Sequence, residues 1–185
     1  FLGKSRFMLD HHLPVWVGEF GPVYTGDAAR DEMRYRLLED QLEIYDKYEV
    51  SWCIWLYKDL GLQALLYQPE STAWMQRIRP ILEKKERLGA DAWGTLDTGI
   101  RDVMKPVEDL LARDFPDYEP FPFGAKRTAR RLVRHILISE ALLDELGRLF
   151  QGLSEEEVVE LAESFNSERY RHRLQLERIL SEQSR

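Results

Sequence analysis

The chain lacks most of what would tie it to a disulfide framework, a bilayer or a polyanion. It has one cysteine in 185 residues, Cys53. A lone cysteine forms no internal disulfide, so the fold owes nothing to an oxidising compartment. No apolar stretch reaches the roughly 20 residues that cross a bilayer, so no membrane partner is expected. Positive charge is in deficit: 26 Lys and Arg against 33 Asp and Glu leave a net charge of −7, which offers no footprint for nucleic acid. Phosphate-binding glycine loops, Ser-His-Asp sets and zinc-ligand spacings are missing. His11 and His12 are adjacent and have no third ligand nearby, so no metal site and no cofactor is expected. The start, Phe1-Leu2-Gly3-Lys4-Ser5-Arg6, has no initiator Met and no charged-then-apolar leader layout. A longer parent chain is therefore expected upstream, and the compartment stays open.

The chain is otherwise ordinary for a globular protein, with 44% hydrophobic and 32% charged residues. Its texture divides it into three segments. Residues 1–95 carry the strand-like runs, 96–124 a short helical pattern and a connector, and 125–185 read as helix throughout.

In the first segment, Leu13-Pro14-Val15-Trp16-Val17-Gly18-Glu19-Phe20-Gly21 is a β-branched and aromatic run that stops at Gly21-Pro22. A helical period follows, with Met33, Leu37, Leu38, Leu42, Tyr45 and Tyr48 on one stripe. Val50-Ser51-Trp52-Cys53-Ile54-Trp55-Leu56-Tyr57 is nearly all apolar, as a strand buried on both faces would be, and Cys53 reads as a small core residue. A second helix is predicted from about Ser71, with Trp74, Met75, Ile78 and Leu82 inward and Pro80 as a kink or restart. Strand, helix, strand, helix implies parallel strands joined by right-handed crossovers. Two such strands leave both faces and both edges in need of cover, which marks a slice of a larger α/β domain.

Further on, Pro106 sits in a helical pattern that runs from Ile100 to Leu111. Phe115 to Gly124 holds three prolines and is predicted to be an irregular connector, clamped to a neighbouring surface by its aromatics. One long helix is predicted from about Ala125 to Phe150, stopped by Gly152. Ser154 with Glu157 forms a capping box for the next helix, and a last helix is predicted at about 168–181. The basic face Lys126, Arg127, Arg130, Arg131 and Arg134 either binds an anion or, as the overall acidity favours, pairs with the acidic helix Glu155–Glu163.

Two residues carry the chemistry. Glu19 ends the first predicted strand, the end at which α/β barrels build their active sites, and a carboxylate there suits attack on an anomeric carbon. Trp55 ends the second strand one βαβ step later, where an indole offers a flat platform for the C–H face of a sugar. Each alone is commonplace: a surface Glu, a core Trp.

Together, Pro14-Val15-Trp16-Val17-Gly18-Glu19-Phe20-Gly21 and Ser51-Trp52-Cys53-Ile54-Trp55-Leu56-Tyr57-Lys58-Asp59 resemble strands seven and eight of glycoside hydrolase family 5, the cellulase family. The resemblance covers about residues 8–88. It implies the last two βα units of a (β/α)8 TIM-type barrel, followed by an all-helical C-terminal extension similar to that of some fungal members. It implies a retaining enzyme acting on O-glycosidic bonds of β-glucans or related glycosides, with Glu19 as nucleophile. Trp55 would line the subsite of the cleaved sugar, with Lys58, Asp59 and Tyr24 as further substrate contacts. The implied partners are carbohydrate and the upstream remainder of the barrel, and the chemistry needs no cofactor. The family's Asn-Glu acid/base pair is missing, because the one asparagine, Asn166, precedes Ser167. Its His-x-Tyr pair is missing too. The chain alone is therefore expected to be inactive. A different class remains as the alternative, a non-catalytic helical interaction module or an inactive remnant of such an enzyme.

Overall fold

The computed structural model of the chain describes residues 1–61, 63–90 and 96–183. The segment boundary drawn after residue 95 falls beside residues 91–95, outside that set. Residues 1–69 and 165–185 form one compact unit and residues 70–164 another. The last helix thus joins the strands, not the helical segment with which it is continuous in sequence.

The first unit opens with α1 (Leu2–Asp10), which the sequence patterning did not announce, and continues through β1 (Trp16–Phe20), α2 (Ala28–Lys47) and β2 (Ser51–Ile54). β1 and β2 pair in parallel, Trp16 opposite Ser51 and Val17 opposite Trp52. Asp27 caps α2, its side chain accepting from the Arg30 N–H at 2.9 Å. The buried residues of α2 are Asp31, Tyr35, Leu38, Leu42 and Tyr45, spaced four, three, four and three apart. Met33 and Leu37 from the expected stripe are 63% and 55% exposed. Each lies about 100° or more around the helix from that row, and Tyr35 takes the inward place.

Three short strands follow in the same unit: β3 (Lys58–Asp59), β4 (Leu66–Tyr67) and, from the C-terminal segment, β5 (Arg171–His172). β5 interrupts the expected start of the last helix, leaving α8 at Leu174–Gln183. Leu176 and Ile179 of α8 are almost fully buried in one cluster with Leu38, Leu42, Phe20 and Val50. Hence α8 belongs with the strands: its apolar face completes their core. The other face of the pair stays open. Trp16 is 74% exposed, and Cys53, expected in the core, is exposed as well. β2 is therefore covered on one face only, and side-chain alternation puts Cys53 on the uncovered one.

The second unit is helical: α3 (Ala73–Leu88), α4 (Arg101–Asp114), α5 (Gly124–Arg131), a π-helical stretch at Leu132–Leu137, α6 (Ile138–Arg148) and α7 (Glu155–Glu163). α3 and α4 run through Pro80 and Pro106 without a break in assignment. The inward residues of α3 are Ile78 and Ile81, not Leu82, which is 37% exposed. The single helix expected over 125–150 carries the π stretch in its middle. The capping box at Ser154 forms, the Ser154 hydroxyl accepting from the Glu157 N–H while the Glu157 carboxylate accepts from the Ser154 N–H. In the connector, Phe121 is 97% exposed and Phe115 and Tyr118 are exposed too, so these aromatics do not clamp it. The basic face pairs with Glu108 of α4, not with α7, whose Glu157 is held by Arg77 at 2.9 Å.

Candidate active site

β1 gains one residue on β2 between the Val17–Trp52 and Phe20–Ile54 pairs, so the irregularity falls on Gly18 and Glu19. An extra residue of this kind breaks the in–out alternation and re-aims a side chain, a device common beside active sites. The outcome is visible here. Gly18 and Glu19 are both exposed, and Phe20 turns inward against Tyr45 (5.0 Å, 84°) and Trp52 (5.5 Å, 83°). These edge-to-face contacts anchor the strand end on which Glu19 stands. The Glu19 carboxylate makes no hydrogen bond or ion pair with the described residues.

Trp55 is brought to the same level by the backbone. Its N–H donates to the Phe20 carbonyl at 2.7 Å, one residue past Glu19, and its indole is 45% exposed. The close approach needs Gly21. That residue has φ +143°, and a Cβ there would lie 2.9 Å from the Trp55 carbonyl oxygen. Gly21→Ala is therefore expected to cost about 1–3 kcal/mol, read as a lower urea midpoint, because backbone of this kind is nearly confined to glycine. A midpoint equal to that of the unaltered chain would contradict the tight packing of the two strand ends.

The acidic residues Asp27, Asp31 and Asp59 are committed to holding loops. Asp27 caps α2. Asp31 accepts from the Thr25 and Gly26 N–H groups, each at 2.8 Å, and from the Thr25 hydroxyl at 3.1 Å. Asp59, expected among the substrate contacts, accepts from the Leu60 N–H at 2.6 Å. Lys58 is occupied as well: its Nζ donates to the Phe165 carbonyl at 2.6 Å and lies 4.2 Å from the Tyr170 ring centre. Tyr24 is only 2% exposed, stacked beside Tyr35 at 4.8 Å. Burial raises the pKa of its hydroxyl well above the ordinary value, with Tyr35 adding to the rise and Arg173 opposing it. Of the candidate residues, Glu19 and Trp55 are thus the ones left open to a ligand. Tyr24, Lys58 and Asp59 shape the loops behind them.

One residue of this arrangement escaped sequence reasoning. Arg173, more than a hundred positions along the chain, donates from Nη2 to the Gly61 carbonyl (2.7 Å) and from Nε to the Ala64 carbonyl (3.1 Å). Its guanidinium also lies 4.0 Å from the Tyr24 ring centre and 4.8 Å from that of Tyr67. A single cation thereby ties the loop after β1 to the loop between β3 and β4. Nothing in the local sequence around Arg173 signals that task.

Among the described residues no group of His, Cys, Asp and Glu could hold a metal ion, and no helix is long and apolar enough to cross a membrane. No protein-family model and no solved structure matches the chain. Over 191 aligned positions, 97% of this chain is 41% identical to a protein of Phanerodontia chrysosporium named Beta-xylosidase. The chain spans 40% of that relative's length.

Proposed function

We propose that this chain is the C-terminal part of a retaining glycoside hydrolase of the family 5 type, its two parallel strands serving as strands seven and eight of a (β/α)8 barrel. The observation that carries the proposal is the placement of Glu19 and Trp55 at the carboxyl ends of two paired parallel strands, whose ends are joined by the Trp55–Phe20 hydrogen bond. That end is where barrel enzymes keep their chemistry. The name of the relative supports the class and moves the proposed substrate from β-glucans toward β-xylosides.

In the proposed reaction a Glu19 carboxylate oxygen attacks the anomeric carbon, forming a glycosyl–enzyme ester as the glycosidic C–O bond breaks. The leaving-group oxygen takes a proton from a carboxylic acid that the upstream part of the barrel supplies. Water then attacks the anomeric carbon, the bond to the Glu19 oxygen breaks and frees the carboxylate, and the same residue, now a base, accepts the water's proton. Trp55 stacks on the sugar being cleaved.

A 2-deoxy-2-fluoro-β-xyloside with a good leaving group tests this in a protein extended upstream to the length of the relative. The expected result is one added fluoroxylosyl group on the peptide that contains Glu19, read by mass spectrometry. A label on any other carboxylate would overturn the assignment.

A further inference from the structure

The second unit contains a basic cavity for which hydrolysis has no use. Phe123, Lys126, Arg127, Arg131 and His135 line it together with Arg130 and Arg134, around a volume of about 480 Å3, and its described lining holds no carboxylate. Some of these cations are committed elsewhere. Arg130 pairs with Glu108 at 2.5 Å and with Asp97 at 3.6 Å, and Lys126 lies 3.5 Å from Glu108. Arg134 is buried, and its Nε donates to the Gly89 carbonyl that ends α3.

Arg127 and Arg131 differ. Their guanidiniums lie 4.6 and 3.8 Å from the centre of the one Phe123 ring, and neither meets a carboxylate among the described residues. Two like charges gathered on one ring repel each other, and an anion set between them would relieve that repulsion. The π-helical stretch Leu132–Leu137 follows directly and brings Arg134 and His135 to the same cavity. Stretches of that kind recur at functional sites.

The chemistry of the occupant follows from size and charge. A chain of net charge −7 repels an extended polyanion, whereas a cavity of this volume admits one small anionic ligand. Planar guanidinium forks match the two oxygens of a carboxylate. We propose that this cavity binds the carboxylate of a uronic acid carried on a saccharide. The saccharide part rests on the hydrolase proposal for the first unit; the anion site does not.

Calorimetric titration of the full chain tests it with three probes: a xylo-oligosaccharide bearing one glucuronate, the neutral oligosaccharide of equal length, and glucose 6-phosphate. The uronate probe is expected to bind at least about tenfold more tightly than either of the others. Arg127→Gln and Arg131→Gln should each weaken it by about tenfold, the effect of losing one charge-assisted pair, with the unfolding temperature unchanged. Arg131→Lys should fall between, because it keeps the charge and loses the fork. Absence of uronate binding, equal binding of the neutral probe, preference for the phosphate, or unaltered affinity in the double Gln variant would each overturn the proposal. Glu19→Gln should leave uronate affinity as it is, so failure here and failure of the hydrolase assignment are read separately.

Discussion

Glu19→Gln is expected to lower hydrolysis of an aryl β-xyloside by about a thousandfold or more in a protein extended to the length of the relative, since the residue proposed to form the covalent intermediate is removed. The substitution keeps size and shape and takes away the charge that the proposed attack on the anomeric carbon needs. Its structural cost is expected to be small. The side chain is exposed and bonded to none of the described residues, so stability should stay within about 0.5 kcal/mol of the original. That pairing makes the result interpretable: lost turnover with an unchanged urea midpoint is chemistry, not misfolding. Retention of most of the activity would remove Glu19 from the mechanism. In the 185-residue chain alone, turnover is expected to be absent even with Glu19 intact. The carboxylates Asp27, Asp31 and Asp59 are tied to backbone N–H groups, and the proposed proton donor lies upstream.

Ending the chain at Ser164 is expected to abolish cooperative unfolding of the first unit. The truncation removes Leu176 and Ile179 from the core cluster, opening a hole against Leu38 and Leu42. It also removes Arg173 and with it the bonds to Gly61 and Ala64 that hold the loop between β3 and β4. A single buried Leu→Ala change costs about 2–5 kcal/mol, while a whole domain is stable by about 5–15 kcal/mol, so losing a helix face should exhaust the margin. Urea titration followed through tryptophan fluorescence, with Trp74 and Trp93 changed to Phe so that the first unit supplies the signal, measures this, with Leu176→Ala as the graded companion, expected to lose about 2–5 kcal/mol. A truncated chain that unfolds with the original midpoint and slope would mean that α8 is an appendage to the strands.

The sequence by itself determined the features whose causes are local. The Gly21-Pro22 stop placed Glu19 at a strand end, and the apolar run after Val50 placed the second strand. Their order with α2 between them called for parallel pairing, which the Trp16–Ser51 and Val17–Trp52 register displays. The capping box at Ser154 is equally local, complete within four residues. That the strand ends carrying Glu19 and Trp55 lie beside each other was legible because one helix separates two short strands, leaving the chain few ways to arrange them.

Only the tertiary structure decided the rest. Which side of α2 is buried depends on α8, so Tyr35 faces inward where Met33 and Leu37 were expected. The extra residue at Gly18-Glu19 is a relation between two strands and has no signature in either. Lys58, Asp59 and Tyr24 read as sugar contacts by position, yet Phe165, Tyr170 and Arg173 from the far end of the chain occupy or cover Lys58 and Tyr24, and the backbone at Leu60 takes Asp59. The basic face finds Glu108, not α7, because α4 and α5 pack together. In each case the deciding partner is remote in sequence, and a side chain's task is set by whichever group the fold brings within hydrogen-bond or van der Waals range.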